Sequence, residues 1–467
     1  MHINHTFIQS TLPELISLGI LFPQDAHFCV DSRLINKGDV FIALPGNKVD
    51  GHTFIKDAIS QGAAGIIVAD SHKHIINTLT AVEKKNLFIG LVTDPYQALL
   101  QLAEAWRDKI SCPIVGITGS IGKTSTREML VDIIKLSGMH YKASIGNNNT
   151  ALSVSQTILD IREDHQVVVL EMGVSKRGEM LRMAQIVKPT TAVITTIGHS
   201  HSEGIGSIHD IAIEKRALFS QFKADNIGIV NGDIPLLAST SYHHPILKFG
   251  CKTTNQIQAR KIQTHGFNTS FLLKLYQEKH MVTLTSNHSG RVTNALAAAA
   301  AACQLGIKSS VIVQALQESV SVSSRFKQVE NTKFQGTIID DAYNASPESM
   351  RAALLAFEKI ESKGQKIAVL GDMLELGVKS PFWHRQLGRF LRKTPSLTHL
   401  LLVGEQVAWT KKTAPAGLII EHVLHWEKAL DYLKTNISDQ ESTVLVKGSY
   451  GTHLHKLVTE LTNTASL

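Results

Sequence analysis

Cysteine is scarce and scattered in this chain. Its 467 residues hold only Cys29, Cys112, Cys251 and Cys303, far apart and with no CxxC spacing. That excludes a disulfide framework and a cysteine zinc site, and suits a reducing cytosol. No Gly-x-Ser-x-Gly elbow occurs, so nothing points to a covalent serine intermediate. No Lys/Arg block occurs either. The net charge of +7, from 47 basic and 40 acidic residues, is spread along the chain, which fits an anionic small substrate better than a nucleic-acid groove. The longest alanine-rich run, 295–303, is too short to span a bilayer, and the start Met-His-Ile-Asn-His-Thr has neither a basic n-region nor an apolar h-region. A cytoplasmic chain without membrane insertion is therefore expected. Repeats and low-complexity tracts are absent, and 43% hydrophobic with 19% charged residues is ordinary for two to three folded domains.

What is present is a phosphate cradle. Val115-Gly116-Ile117-Thr118 reads as an apolar strand, and Gly119-Ser120-Ile121-Gly122-Lys123-Thr124-Ser125 as a glycine-bearing turn opening a helix. Glycines let backbone N–H groups close around anionic oxygens, Lys123 adds a point charge, and the Thr124 hydroxyl completes a Mg²⁺ shell. The spacing is a variant of the P-loop, because Ile117 stands six before Lys123 and the glycine falls earlier, at Gly116.

Around this motif the chain divides into three parts. Residues 1–93 contain short β-like runs at 40–44, 65–68 and 87–92 around the turn that begins at Pro45-Gly46, a small α/β module. Asp94-Pro95 breaks the pattern, a helix is expected over 96–109, and Cys112-Pro113 leads into the P-loop strand. Strands at 167–170, 191–195 and 227–230 alternate with helical segments, which predicts a mostly parallel sheet in a domain spanning 94–324. A second series follows over 325–467, with strands at 337–339, 366–370, 400–403 and 443–446. These end in Asp340-Asp341, Gly371-Asp372, Gly404-Glu405 and Lys447-Gly448-Ser449. Ligands of open α/β sheets bind outside the carboxyl ends of the strands, so these tips suggest a second binding edge.

Glu171 stands at the tip of the strand after Val-Val-Val-Leu, where a P-loop protein commonly holds a metal-directing carboxylate. The alternative is a helix cap. The next strand leads into Gly198-His199-Ser200-His201-Ser202-Glu203, which brings two histidines and a carboxylate toward the same edge as ligands or as surface groups. Asn47-Lys48-Val49-Asp50 and Asp225-Asn226-Ile227-Gly228 spell fragments of GTPase motifs. Their order and distance relative to Lys123 do not suit a GTPase.

Together these segments resemble the Mur ligases, ATP-dependent amide-forming enzymes of peptidoglycan precursor synthesis. The resemblance rests on Asp31-Ser32-Arg33, Gly38-Asp39-Val40-Phe41, Asp50-Gly51-His52, the variant P-loop, Glu171-Met172-Gly173 and the His201 segment. It continues through Asn294-Ala295-Leu296, Asp340-Asp341-Ala342-Tyr343-Asn344-Ala345, Gly371-Asp372-Met373-Leu374-Glu375-Leu376-Gly377 and Val446-Lys447-Gly448-Ser449. The 371–377 run is most similar to the branch that adds D-alanyl-D-alanine to UDP-N-acetylmuramoyl-tripeptide. The resemblance implies three α/β domains: an N-terminal UDP-binding module, a central P-loop parallel-sheet ATPase domain, and a C-terminal Rossmann-like domain that closes on ATP.

It also implies roles. Gly119 to Ser125 would hold ATP, with Lys123 and Thr124 on the triphosphate and first Mg²⁺, and Glu171 and His201 serving two Mg²⁺ ions. Asn294 would contact adenine, Arg325 the phosphates and Asp341 the ribose. Asp31, Ser32 and Arg33 would bind the UDP-sugar, and Asp372, Lys447, Ser449 and Tyr450 would face the dipeptide. Lys215 resembles the family lysine that takes up CO₂ as a carbamate and supports the second metal. Read without the family it is a helix-face lysine paired with Glu214 or Glu203. A monomer acting on the UDP-linked tripeptide and D-alanyl-D-alanine is expected. A folylpolyglutamate-type or other Mur-type acceptor is the alternative. The chain departs from the family at Thr150, Thr196, Ala217, Ser346 and Tyr450, and Tyr450 stands where Arg is frequent.

Overall fold

The computed structural model describes residues 2–46, 49–319, 325–329, 336–436 and 441–462. Asn47 and Lys48 of the GTPase-like fragment lie outside them. Among the described residues, strands form three sheets of five, nine and six members, the three-domain α/β architecture expected.

The first sheet places Phe28–Cys29, Val40–Ile42, Gly65–Ala69 and Phe88–Val92 in parallel, with Ile16–Gly19 antiparallel at the edge. Residues 40–42, 65–69 and 88–92 are buried throughout, which is why they read as unbroken apolar runs. The helix after Asp94 spans Pro95–Arg107; the Asp94 carboxylate accepts from the Tyr96 and Gln97 N–H groups, and proline fills the first position.

In the central sheet the P-loop strand Ile114–Thr118 lies between Val167–Glu171 and Thr191–Ile194, parallel to both. The chain fills one side of this strand and then the other, so the strand order reverses at Ile114–Thr118. That is where an open α/β sheet leaves a crevice at its carboxyl edge. The Asp225–Gly228 fragment sits at the opposite edge, since Ile227 pairs with Thr191 at the strand start.

The sequence reading contains no antiparallel extension of this sheet, yet Ile257–His265, Asn268–Leu275 and Glu278–Leu284 form one. Only one face of that arm is covered, so its apolar residues alternate, as in the strand Asn268–Leu275. The alanine-rich run belongs to helix Ser289–Gln304, with Ala295 and Ala297 to Ala302 fully buried. Its small side chains allow close approach to helix Lys123–Ser137 in the same core cluster.

The third sheet runs Lys327–Val329, Thr337–Asp341, Thr443–Lys447, Lys366–Gly371, His399–Val403, Ile419–Val423. All pairs are parallel except the first. The polar tips named from the sequence therefore share one edge.

Candidate active site

The turn between strand Ile114–Thr118 and helix Lys123–Ser137 is shaped by two glycines that no other residue replaces without strain. Gly119 has φ 152° and Gly122 φ 89°. A Cβ at Gly119 would lie 1.9 Å from the Thr195 hydroxyl, and one at Gly122 would lie 2.3 Å from Asn294 Oδ1. The turn is pinned from the neighbouring strand end. Ser120 Oγ donates to Gly198 O at 3.0 Å and accepts from Gly198 N at 2.9 Å, while Thr195 Oγ1 donates to Ile121 O at 2.6 Å. Lys123 Nζ folds back to donate to Gly119 O at 2.9 Å. Burial lowers its ammonium pKa, Glu171 opposes that shift, and Arg325 adds to it.

Glu171 is almost wholly buried and does not cap a helix. It accepts from Arg127 Nη1 at 3.2 Å and from Asn149 Nδ2 at 2.8 Å. Arg127 also donates to Gly146 O at 2.7 Å. It escaped the sequence reading, although the signal was there: an arginine on the same helix stripe as Leu130, Val131 and Ile134 needs a buried acidic partner.

Both histidines of the 198–203 segment pair with the last domain. His201 Nδ1 pairs with Glu375 Oε2, and that hydrogen bond holds the Glu375 carboxyl below its usual range. His199 Nδ1 lies 2.5 Å from Glu348 Oε1. Arg325 Nη2 donates to Thr124 Oγ1 at 3.4 Å, and its guanidinium lies 4.2 Å from the Tyr343 ring. The last domain is thus docked over the P-loop.

Two cavities open at this junction. The larger, about 740 Å³, is lined by Ser120 to Thr124, Glu171, His201, Arg325, Ser449 and Tyr450. Asn147, Asn149, Arg182, Tyr343 and Glu375, to which the sequence reading gave no role, also line it. The smaller, about 290 Å³, is lined by Ser120 to Gly122, Ser125, Asn294, Arg325, Asp341 and Lys447. Asp31, Ser32 and Arg33 lie outside both, at the carboxyl edge of the first sheet, where Arg33 donates to both oxygens of Asp31.

Three residues of that reading have partners of their own. Lys447 was expected toward the dipeptide, but its ammonium is buried in the smaller cavity, 2.7 Å from Asp341 Oδ2 and 2.9 Å from Asn344 O. Asp372 was expected there too. Its carboxylate instead accepts from Glu405 N at 3.1 Å and Val407 N at 2.8 Å, closing the turn after the neighbouring strand. Lys215 is not a surface ion-pair lysine: it is 1% exposed. Glu214 beside it accepts from Gly178 N and Met180 N. Burial first, and then the nearby Lys123 charge, push the Lys215 ammonium down to about 7.

Comparison with known proteins agrees with this geometry. The Mur ligase family, catalytic domain model matches residues 27–107, the Mur ligase middle domain residues 117–302, and the Mur ligase, glutamate ligase domain residues 324–450. The UDP-N-acetylmuramoyl-tripeptide--D-alanyl-D-alanine ligase of Bacillus subtilis is 31% identical over 92% of both chains, and that of Escherichia coli 28% over 92% of both. A crystal structure of MurF from Acinetobacter baumannii superposes with TM-score 0.84 at 27% identity over 99% of each chain. MurF from Thermotoga maritima in complex with ADP gives 0.79 at 27% identity, over 93% of this chain and 97% of that one. With a P-loop at the strand-order reversal, a third domain docked across it and these matches along its length, the chain belongs to the Mur ligase family.

Proposed function

We propose that this chain is an ATP-dependent ligase that joins D-alanyl-D-alanine to UDP-N-acetylmuramoyl-tripeptide, a cytoplasmic step of peptidoglycan precursor synthesis. The observation that carries this reading is the larger cavity, where the P-loop, a buried carboxylate and the tip of the 443–447 strand meet across two domains. Relatives named for this activity cover most of the chain.

Amide formation from a carboxylate in water is uphill, so the carboxylate oxygen must become part of a leaving group. The γ-phosphoryl of ATP passes to the tripeptide carboxylate, giving an acyl phosphate and ADP. The dipeptide amine attacks the carbonyl, loses its proton, and phosphate departs. Lys123 and Arg325 supply positive charge where carboxylate and triphosphate repel. Asn294 and Asp341 line the smaller cavity, which takes the adenosine, and Lys447 is assigned there with them. Asp31, Ser32 and Arg33 hold the UDP-sugar. Ser449 and Tyr450 face the dipeptide.

Thr124 and Glu171 present hydroxyl and carboxylate oxygens on the larger cavity, the hard donors that fit Mg²⁺, and the softer His201 imidazole stands on the same cavity. Two bound ions would neutralise triphosphate charge. Lys215, buried and with its ammonium lowered to about 7, carries the free-amine fraction that reaction with CO₂ requires, so a carbamate there would present an anion toward the second ion. The chain acts as a monomer in this reading, since its cleft is assembled within one chain.

The test is phosphate release from ATP, with each UDP-muramoyl peptide crossed against alanine, D-alanyl-D-alanine and diaminopimelate. Release dependent on the tripeptide and D-alanyl-D-alanine together is expected. Release with another pair would reassign the acceptor.

A further inference from the structure

The last domain carries a charged face that the phosphate chemistry does not use. The turn Gly377–Lys379, the helix Ser380–Phe390 and the turn Leu391–Lys393 run on without a break. Along them Val378, Phe382, Arg385, Arg389 and Arg392 recur at steps of four and three residues, so they share one flank. His384, Leu387, Gly388 and Leu391 are buried on the other. That buried flank is locked to helix Ala408–Lys411 and the residues after it. Thr410 Oγ1 donates to His384 O at 3.0 Å and Thr413 Oγ1 to Arg385 O at 2.8 Å, and a Cβ at Gly388 would lie 2.3 Å from the Thr413 hydroxyl. This packing brings Lys411 and Lys412, both exposed, beside the stripe. Trp409 joins the two segments, its ring centroid 4.9 Å from the Arg385 guanidinium and 4.1 Å from the Lys412 ammonium. Lys393 stands 5.6 Å from the Phe390 ring in the same way.

Arg385, Arg389, Arg392, Lys393, Lys411 and Lys412 thus form one basic patch. Among the described residues none of the six is ion-paired with a carboxylate, and none lines either cavity of the active site. The chain's net charge is +7, so cations that the sequence spreads out are concentrated here by the fold. An unpaired patch of this size calls for an anionic partner. Its far end decides which one. Val378 is 97% exposed and Phe382 45%, two large apolar side chains at the head of the same flank. A nucleic-acid backbone offers nothing to an exposed valine, whereas the boundary between headgroups and acyl chains takes basic and apolar side chains together. We propose that this flank docks the protein onto an anionic lipid surface, with Val378 and Phe382 entering the acyl boundary and the six cations set against headgroup phosphates. No helix of the described residues is long and apolar enough to cross a membrane, so the contact is peripheral.

The test is sedimentation of the whole protein with vesicles of phosphatidylcholine, alone or with about 30% phosphatidylglycerol, at about 50 mM and about 500 mM salt. Binding is expected only to the anionic vesicles and only at low salt. Near such a surface each cation is worth about fivefold in partition, so Arg389→Glu combined with Arg392→Glu should lower the partition coefficient at least about a hundredfold. Phe382→Ser should lower it several-fold with every cation kept. Urea midpoints of these surface variants should match the parent's, which separates lost docking from lost folding. In Val378→Trp the emission, taken as the difference from the parent, should move to the blue when anionic vesicles are added. No binding to those vesicles at low salt overturns the proposal, and so does binding that the charge-reversed variant keeps. Emission of Val378→Trp that stays put on bound vesicles overturns the apolar half of the contact and with it the lipid assignment. Tighter binding to a single-stranded DNA oligomer than to the anionic vesicles, at the same salt, would give the patch to nucleic acid instead.

Discussion

Arg127 Nη1 stands 3.2 Å from Glu171 Oε2, and both side chains are only 1% exposed. The pair joins the P-loop helix to the tip of the adjacent strand, so the phosphate cradle and the carboxylate proposed for metal binding move as one unit. Removing one partner leaves an uncompensated charge in the core. Arg127→Met is expected to lower unfolding stability by about 3–5 kcal/mol and to abolish ligation. Urea unfolding checks it, and a variant as stable as the parent would show that the pair is dispensable.

Lys123→Ala should reduce ATP turnover about a hundredfold to a thousandfold. UDP-peptide binding should persist, because Asp31 to Arg33 lie in the turn beyond the strand Phe28–Cys29 of another sheet, outside both cavities. Calorimetric titration with the UDP-peptide separates the two effects. Joint loss of binding and turnover would contradict the separate UDP module.

Lys215→Ala should be nearly inactive, and a short carboxylate such as formate should restore part of the rate by standing in for the carbamate. Turnover of the parent enzyme should fall in CO₂-depleted buffer and return with bicarbonate. Full activity of the alanine variant in either buffer would remove the carbamate from the account.

Tyr450 lines the larger cavity and is largely exposed, its ring stacked on His455. Tyr450→Arg should lower KM for D-alanyl-D-alanine several-fold and leave KM for ATP unchanged, since arginine grips a carboxylate bidentately. Asp372→Ala should do the reverse of a substrate contact: it strips acceptors from two N–H groups, costing about 1–3 kcal/mol of stability, with KM for the dipeptide little moved. A large KM effect at Asp372 would return it to the dipeptide site.

His384 gives the last domain a pH dependence. The side chain is fully buried, Nε2 accepts from Met373 N at 3.1 Å, and Nδ1 lies 2.9 Å from Ser380 O. Burial lowers its pKa from 6.5. The unfolded chain therefore binds a proton below pH 6.5 that the folded chain refuses. This contribution to stability is present above that value and lost as pH falls through the depressed pKa. Urea midpoints at about pH 7.5 and about pH 5.5 should differ less in His384→Gln than in the parent. An unchanged difference would place the acid sensitivity elsewhere.

Much of the site was legible because it is local in sequence. The strand, glycine turn and Lys123-Thr124 lie within a dozen residues, and Glu171 follows its strand directly. Parallel strands buried on both faces announced themselves as apolar runs. What stayed hidden depends on distant partners. His201 and Glu375 are 174 positions apart, and Lys447 and Asp341 are 106 apart. Asp372 and Lys447 both sit at strand tips on the right edge, but the tip position alone does not fix which way a side chain turns. Asp372 satisfies the next turn, and Lys447 answers the charge of Asp341. The antiparallel arm was missed because its one-faced burial gives an alternating pattern inside a region read for parallel strands.

The central claim is that the tripeptide carboxylate is activated by phosphoryl transfer before the amide forms. The direct measurement places ¹⁸O in that carboxylate, supplies ATP and D-alanyl-D-alanine, and follows the label by mass spectrometry. The account predicts that each turnover delivers a single labelled oxygen into the released phosphate, together with the dipeptide-extended product. Product formed with unlabelled phosphate would contradict it.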